Sequence, residues 1–181
     1  MEQKAKNVSP FSNESRNAYV VEHLTGSMLT LLKEKPISEI SISELCEVAG
    51  VGRTSFYRNF ETREDILKTY MERKLRDWSL RWEGQPEPPL GELIYRVFCF
   101  FENDRDFYSL LNERGLVYLL KDIILDICNF DPEQEAVAAY ASAYAAFSLY
   151  GWIETWFRRG MRESAKELAA LFGNPSHSRA D

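Results

Sequence analysis

Apolar residues at Val20, Leu24, Met28, Leu31 and Leu32 recur at spacings of 4, 4, 3 and 1. That recurrence marks one face of an amphipathic helix, predicted over 14–34 and ended before Pro36. Ser41 and Glu44 then stand in an S-x-x-E arrangement, the capping-box signature of a helix start. Leu45, Val48 and Ala49 supply this second helix with a small apolar face, and Gly50 permits a sharp exit. A third, short helix is expected from about Arg53 to Asn59, with Phe56 and Phe60 four apart on an inward stripe. Thr62 opens a fourth, with Glu64 and Asp65 at the positive end of its dipole. Ile66, Leu67, Tyr70, Met71 and Leu75 carry that helix to about Trp82.

Three prolines within Pro86–Pro89 break the pattern, because such a run cannot continue a helix. Beyond it, helices are expected at 90–102, 104–112, 116–129, 132–159 and 163–172. In the fourth of these Asp131 would be the cap and Pro132 would lie in the first turn. No strand-type alternation occurs in the sequence. The expected fold is all-α, with a mobile arm over 1–13 and a three-helix helix-turn-helix domain over 14–61. A connecting helix over 62–82 leads to a helical regulatory and dimerisation domain over 83–181.

Charge narrows the partners. The chain carries 22 Lys and Arg against 28 Asp and Glu, for a net −6. Residues 1–76 hold 12 basic and 11 acidic side chains, whereas 77–181 hold 10 and 17. An acidic rear half repels phosphate, so any nucleic-acid contact belongs to a small footprint at the front. Cys46, Cys99 and Cys128 form no C-x-x-C pair, and His23 and His177 add no metal-ligand spacing. No metal or cofactor is expected, and three buried thiols suit a reducing cytoplasm. The polar N-terminus has no apolar leader. Ala136–Ile153 is uncharged over 18 residues but rich in Ala, Tyr and Ser, and reads as a buried helix rather than a membrane span.

Two helices meeting at a glycine turn, the second short, aromatic-backed and polar-faced, match a helix-turn-helix. Ala49 lets the helices approach, and Phe56 and Phe60 anchor the second one. Arg53, Thr54, Ser55, Tyr57, Arg58 and Asn59 are thereby turned outward. Arg can bond guanine bidentately, Asn adenine, and a Thr methyl can touch that of thymine. Tyr57 and Arg63 suit phosphate oxygens, as do the helix-start amides near Ser41 and Thr62.

The run ISELCEVAGVGRTSFYRNFETREDIL, 42–67, resembles the N-terminal domain of the TetR family of bacterial transcriptional repressors. Its marks are Ala49-Gly50-Val51 at the turn, Tyr57-x-x-Phe60 closing the reading helix and Thr62-Arg63 opening the next. The resemblance covers about 50 residues when the preceding helix is included. It implies that Arg53, Ser55, Tyr57, Asn59 and Arg63 occupy DNA-contacting positions, with Ser43 on the supporting helix. Gly52 departs from the family's usual Ser at the helix cap.

The resemblance also implies a rear module that holds a small-molecule effector and forms a homodimer on a double-stranded operator. Trp82, Phe98, Phe101, Phe107, Tyr108, Tyr118, Tyr144, Phe147 and Trp152 could wall such a pocket, although aromatics at helical spacing also make ordinary core. Ala136, Ala139, Ala143 and Ala146 form a stripe that permits close helix approach, and with Tyr150 and Phe157 form one candidate seam. Which face of 132–159 is seam and which is pocket is left open by the sequence. The alternatives are an adaptor that has lost DNA binding and a small helical enzyme. Arg53, Tyr57 and Arg63 count against the first, and the lack of any Ser/His, Cys/His or metal constellation counts against the second. The expectation is a non-enzymatic one-component regulator, most simply a repressor.

Overall fold

The computed structural model describes residues 13–86 and 88–173. All regular structure among them is helical, in the order α1 (Asn13–Glu34), α2 (Ile42–Ala49), α3 (Arg53–Asn59), α4 (Arg63–Ser79), α5 (Leu90–Glu102), α6 (Arg105–Glu113), α7 (Leu119–Ile127), α8 (Ala136–Arg158) and α9 (Ala165–Gly173). Two 3-10 turns, Ile37–Glu39 and Leu80–Trp82, complete it. The arm expected over 1–13 lies, apart from Asn13, outside the described residues. The chain divides into two compact units, Met1–Leu67 and Lys68–Asp181, with the boundary inside α4.

In the first unit α1 packs against both α2 and α3. Leu24, Met28 and Leu32 of α1, Leu45 of α2 and Phe56 of α3 are fully buried, as the spacings predict. The Ser41 hydroxyl accepts the Glu44 amide at 3.1 Å, closing the expected cap of α2. Gly50 ends that helix at φ +65°, a left-handed conformation that costs glycine little, while the Val51 amide reaches back to the Cys46 carbonyl at 3.0 Å. One α2 assignment is corrected. Val48 is 52% exposed and stays outside the core.

In the second unit α5 packs against α9 and α6, and α8 against α6 and α7. Two features tie α6 to the end of α8. The Asn112 amide donates to the Phe157 carbonyl at 3.1 Å, and the Arg105 guanidinium donates to the carbonyls of Gly160 and Met161. Trp156 donates its indole N–H to the Glu163 carbonyl at 2.9 Å, fixing the turn that leads to α9.

The start of α8 differs from expectation. Asp131 accepts the Glu133 amide at 2.9 Å and makes a local turn instead of a helix cap. The helix begins at Ala136, where the Glu135 carboxylate accepts the amides of Val137 and Ala138. α9 begins two residues after the expected 163: Ser164 and Glu167 bond each other's amides as a capping box, so the helix starts at Ala165. No helix among the described residues is long and apolar enough to cross a membrane.

Candidate nucleic-acid interface

α3 has seven residues, too few to hold a helical form alone, so its neighbours must set its position. The Phe56 ring is fully buried, with the Phe60 ring 5.9 Å away. Gly52 begins the helix with ordinary extended backbone and no side-chain cap, consistent with the departure noted from sequence. With Phe56 facing inward, Arg53, Thr54, Tyr57 and Arg58 are exposed and line one open depression of about 550 Å³. The Tyr57 ring, 61% exposed, stands edge-on to Phe56 at 5.2 Å. A large aromatic held so far into water has an amphipathic tip free to meet a partner. Ser43 on α2 is exposed as well.

Three other expected contacts are placed differently. Ser55 and Asn59 are half-buried, and the Asn59 side-chain N–H donates to the Ser55 carbonyl at 2.8 Å, folding that side chain back onto its own helix. Arg63 is half-buried too. Its Nη1 donates to the carbonyls of Ile37 at 2.9 Å, Ser38 at 3.3 Å and Ile40 at 2.5 Å. The amides at the start of α4 are also engaged, because the Asp65 carboxylate accepts those of Glu61 and Thr62 at 3.1 and 2.6 Å. A carboxylate therefore occupies the place where phosphate was expected.

Sequence reading missed the tie between Lys35 at the end of α1 and Glu44 in the first turn of α2, 2.6 Å apart. A nine-residue separation carries no helical-spacing signal, so only the fold brings the two together. Burial pushes the Cys46 thiol up, opposed by the positive charge of Arg53.

In the second unit α8 turns its small-residue stripe toward the protomer's own core and leaves its aromatic stripe in water. Ala146 and Phe157, expected in a seam, are buried within the protomer, and Ala139, Ala143 and Tyr150 are half-buried. Of that set Ala136 is exposed. Tyr144 and Phe147, expected in an enclosed pocket, are instead 78% and 49% exposed, and Tyr118 is exposed too. The physical reason is helical phase. At 100° per residue the alanine stripe shares its side with Ile153 and Phe157, whereas Val137, Tyr140, Tyr144 and Phe147 fall together on the adjacent side, about 100° further round. Phe98, Phe101, Phe107 and Tyr108 are buried, but as packed core: Phe101 and Tyr108 meet at 4.7 Å and Phe98 and Trp156 at 5.1 Å. Trp82 and Trp152 are half-buried.

Residues 29–70 match the family described as bacterial regulatory proteins, tetR family. The HTH-type transcriptional regulator EthR of Mycobacterium tuberculosis, strains CDC 1551 / Oshkosh and ATCC 25618 / H37Rv, is 30% identical to the chain over 77 residues. So is the EthR of Mycobacterium bovis AF2122/97. Each match covers 40% of this chain and 36% of the relative, so little more than a third of those relatives' length is spanned. The matched segment runs from the last turns of α1 through the glycine turn and α3 into α4, and over it the chain is similar to the tetR family of bacterial regulatory proteins.

Proposed function

We propose that the chain is a DNA-binding transcriptional regulator that reads its operator with the outward face of α3. One observation carries this reading. Arg53, Thr54, Tyr57 and Arg58 are exposed together around the buried Phe56 anchor. Arginine and threonine are chemically suited to base edges in a major groove, and the Tyr57 hydroxyl and Arg58 to phosphates. The chain is read as a repressor, and a small molecule bound within Lys68–Asp181 changes its affinity for the operator. Support for an effector site is the Tyr108 hydroxyl, buried with no hydrogen-bond partner among the described residues.

The working form is a homodimer. Val137, Tyr140 and Tyr144 on α8 are 74%, 79% and 78% exposed, and Phe147 extends the same stripe. A row of bulky apolar side chains on one helix face is costly in water and suits a second copy of the same face, which also matches a two-fold operator. The test is selection of duplex DNA from a randomised pool by the purified chain, followed by titration of the winning duplex. Wild type should bind it tightly. The Arg53→Ala/Tyr57→Ala double variant should lose at least about tenfold in affinity at unchanged melting temperature, since each good base or phosphate contact contributes on the order of 1–3 kcal/mol. A folded double variant that binds as well as wild type would refute the reading.

A further inference from the structure

We infer that Arg63 is a positioning residue of the reading unit and makes no phosphate contact: it clamps the turn between α1 and α2 from the start of α4. The inference rests on the DNA-binding reading above and assigns Arg63 a role apart from the cations that meet DNA in it. The carbonyls it holds belong to Ile37 and Ser38 of the 3-10 turn and to Ile40, the residue before the cap of α2. Nη1 carries two hydrogens and meets three acceptors, so the bonds are shared and that end of the guanidinium sits among three carbonyls. The Ile37 carbonyl also closes the 3-10 turn by accepting the Ile40 amide at 3.2 Å.

Electrostatics favour this placement. Arg63 is the first residue of α4, where the helix dipole repels a cation, and the inward carbonyl dipoles offset that repulsion. Charge-assisted hydrogen bonds are stronger than neutral ones, and swinging the guanidinium outward to a phosphate would break this set. The same connection is held from its other side by Lys35 and Glu44. At the opposite edge of α4's first turn, Asp65 holds the amides of Glu61 and Thr62, just after α3. The start of α4 thus fixes both the entry to α2 and the exit from α3, and through them the attitude of the reading face. Arg53 and Arg58, by contrast, are exposed.

Salt dependence separates the two roles. A direct phosphate contact contributes about 0.9 to the slope of log affinity against log salt concentration, and a positioning residue contributes none. With the duplex selected by wild type, Arg63→Gln should lose roughly tenfold in affinity while its slope stays within about 0.3 of wild type. Hydrogen exchange at the amides of 38–41 should quicken in the same variant. A slope lower by about 0.9 per protomer, or unchanged exchange, would overturn the inference.

If Arg63→Gln does not fold, the wild-type guanidinium resonances decide. Those of Arg63 should keep their positions when the duplex is added, and a shift like those of Arg53 and Arg58 would count against the clamp. If wild type selects no duplex at all, the proposed function fails. The clamp is then judged on hydrogen exchange alone, and unchanged exchange at 38–41 would still sink it.

Discussion

Lys35 and Glu44 lie 2.6 Å apart, nine residues from each other in sequence, and join the last turn of α1's segment to the first turn of α2. Glu44 is held below the usual carboxylate value near 4.5, first by the hydrogen bond from Lys35, with burial opposing it and the Lys35 charge and the Ser41 backbone amide adding to it. A carboxyl with a depressed folded pKa contributes stability that is present above its unfolded value and lost as pH falls through the folded one. Glu44→Gln should therefore lower the melting temperature at pH 7. The gap to wild type should close as pH drops from about 4.5 through the depressed pKa. Paired thermal melts from pH 7 to pH 3 would show it, and a gap independent of pH would mean that the pair is structurally idle.

The glycines flanking Val51 should respond with opposite signs. Gly50 has φ +65° and open space around it, so an alanine there meets only the backbone cost, about 1–2 kcal/mol. Gly52 has an ordinary φ of −75° and caps α3 without a side chain, so serine should add stability, by a few tenths of a kcal/mol. Urea denaturation of Gly50→Ala and Gly52→Ser measures both, and equal effects would refute the distinction.

Tyr140 and Tyr144 stand almost wholly in solvent on one face of α8. Replacing both with aspartate should leave helicity intact and shift sedimentation from dimer to monomer, because four like charges would meet across a two-fold seam. A wild-type chain that sediments as a monomer at tens of micromolar, or a double variant that stays dimeric, would remove this face from the interface.

Tyr108 stacks with Phe157 at 5.5 Å, and its hydroxyl has no hydrogen-bond partner among the described residues. Burial, then the charge of Asp104, pushes this phenol far above its ordinary value, so it stays neutral in any working buffer. Since an unsatisfied buried hydroxyl carries a desolvation penalty, Tyr108→Phe should stabilise the protein by about 1 kcal/mol in urea titration. Destabilisation would reveal a partner that holds the hydroxyl in solution. An effector that binds through it should bind the variant more weakly.

Local patterns were legible in the chain because they are written at helical spacing. The apolar row of α1, the Ser41 cap, the Gly50 exit and the buried Phe56 and Phe60 each rest on neighbours within a few residues, and the structure has them as read. Those same features determine that α3 turns Arg53, Thr54, Tyr57 and Arg58 to solvent. The fate of Arg63 depended on carbonyls 23 to 26 residues away, and its type and position alone suggested phosphate. α8 shows the same limit. Small and aromatic stripes were both visible, but which one faced inward depended on where α6 and α7 packed. Spacing within a helix determined the reading face; contacts between helices, which no local period encodes, decided what Arg63 holds and which side of α8 meets water.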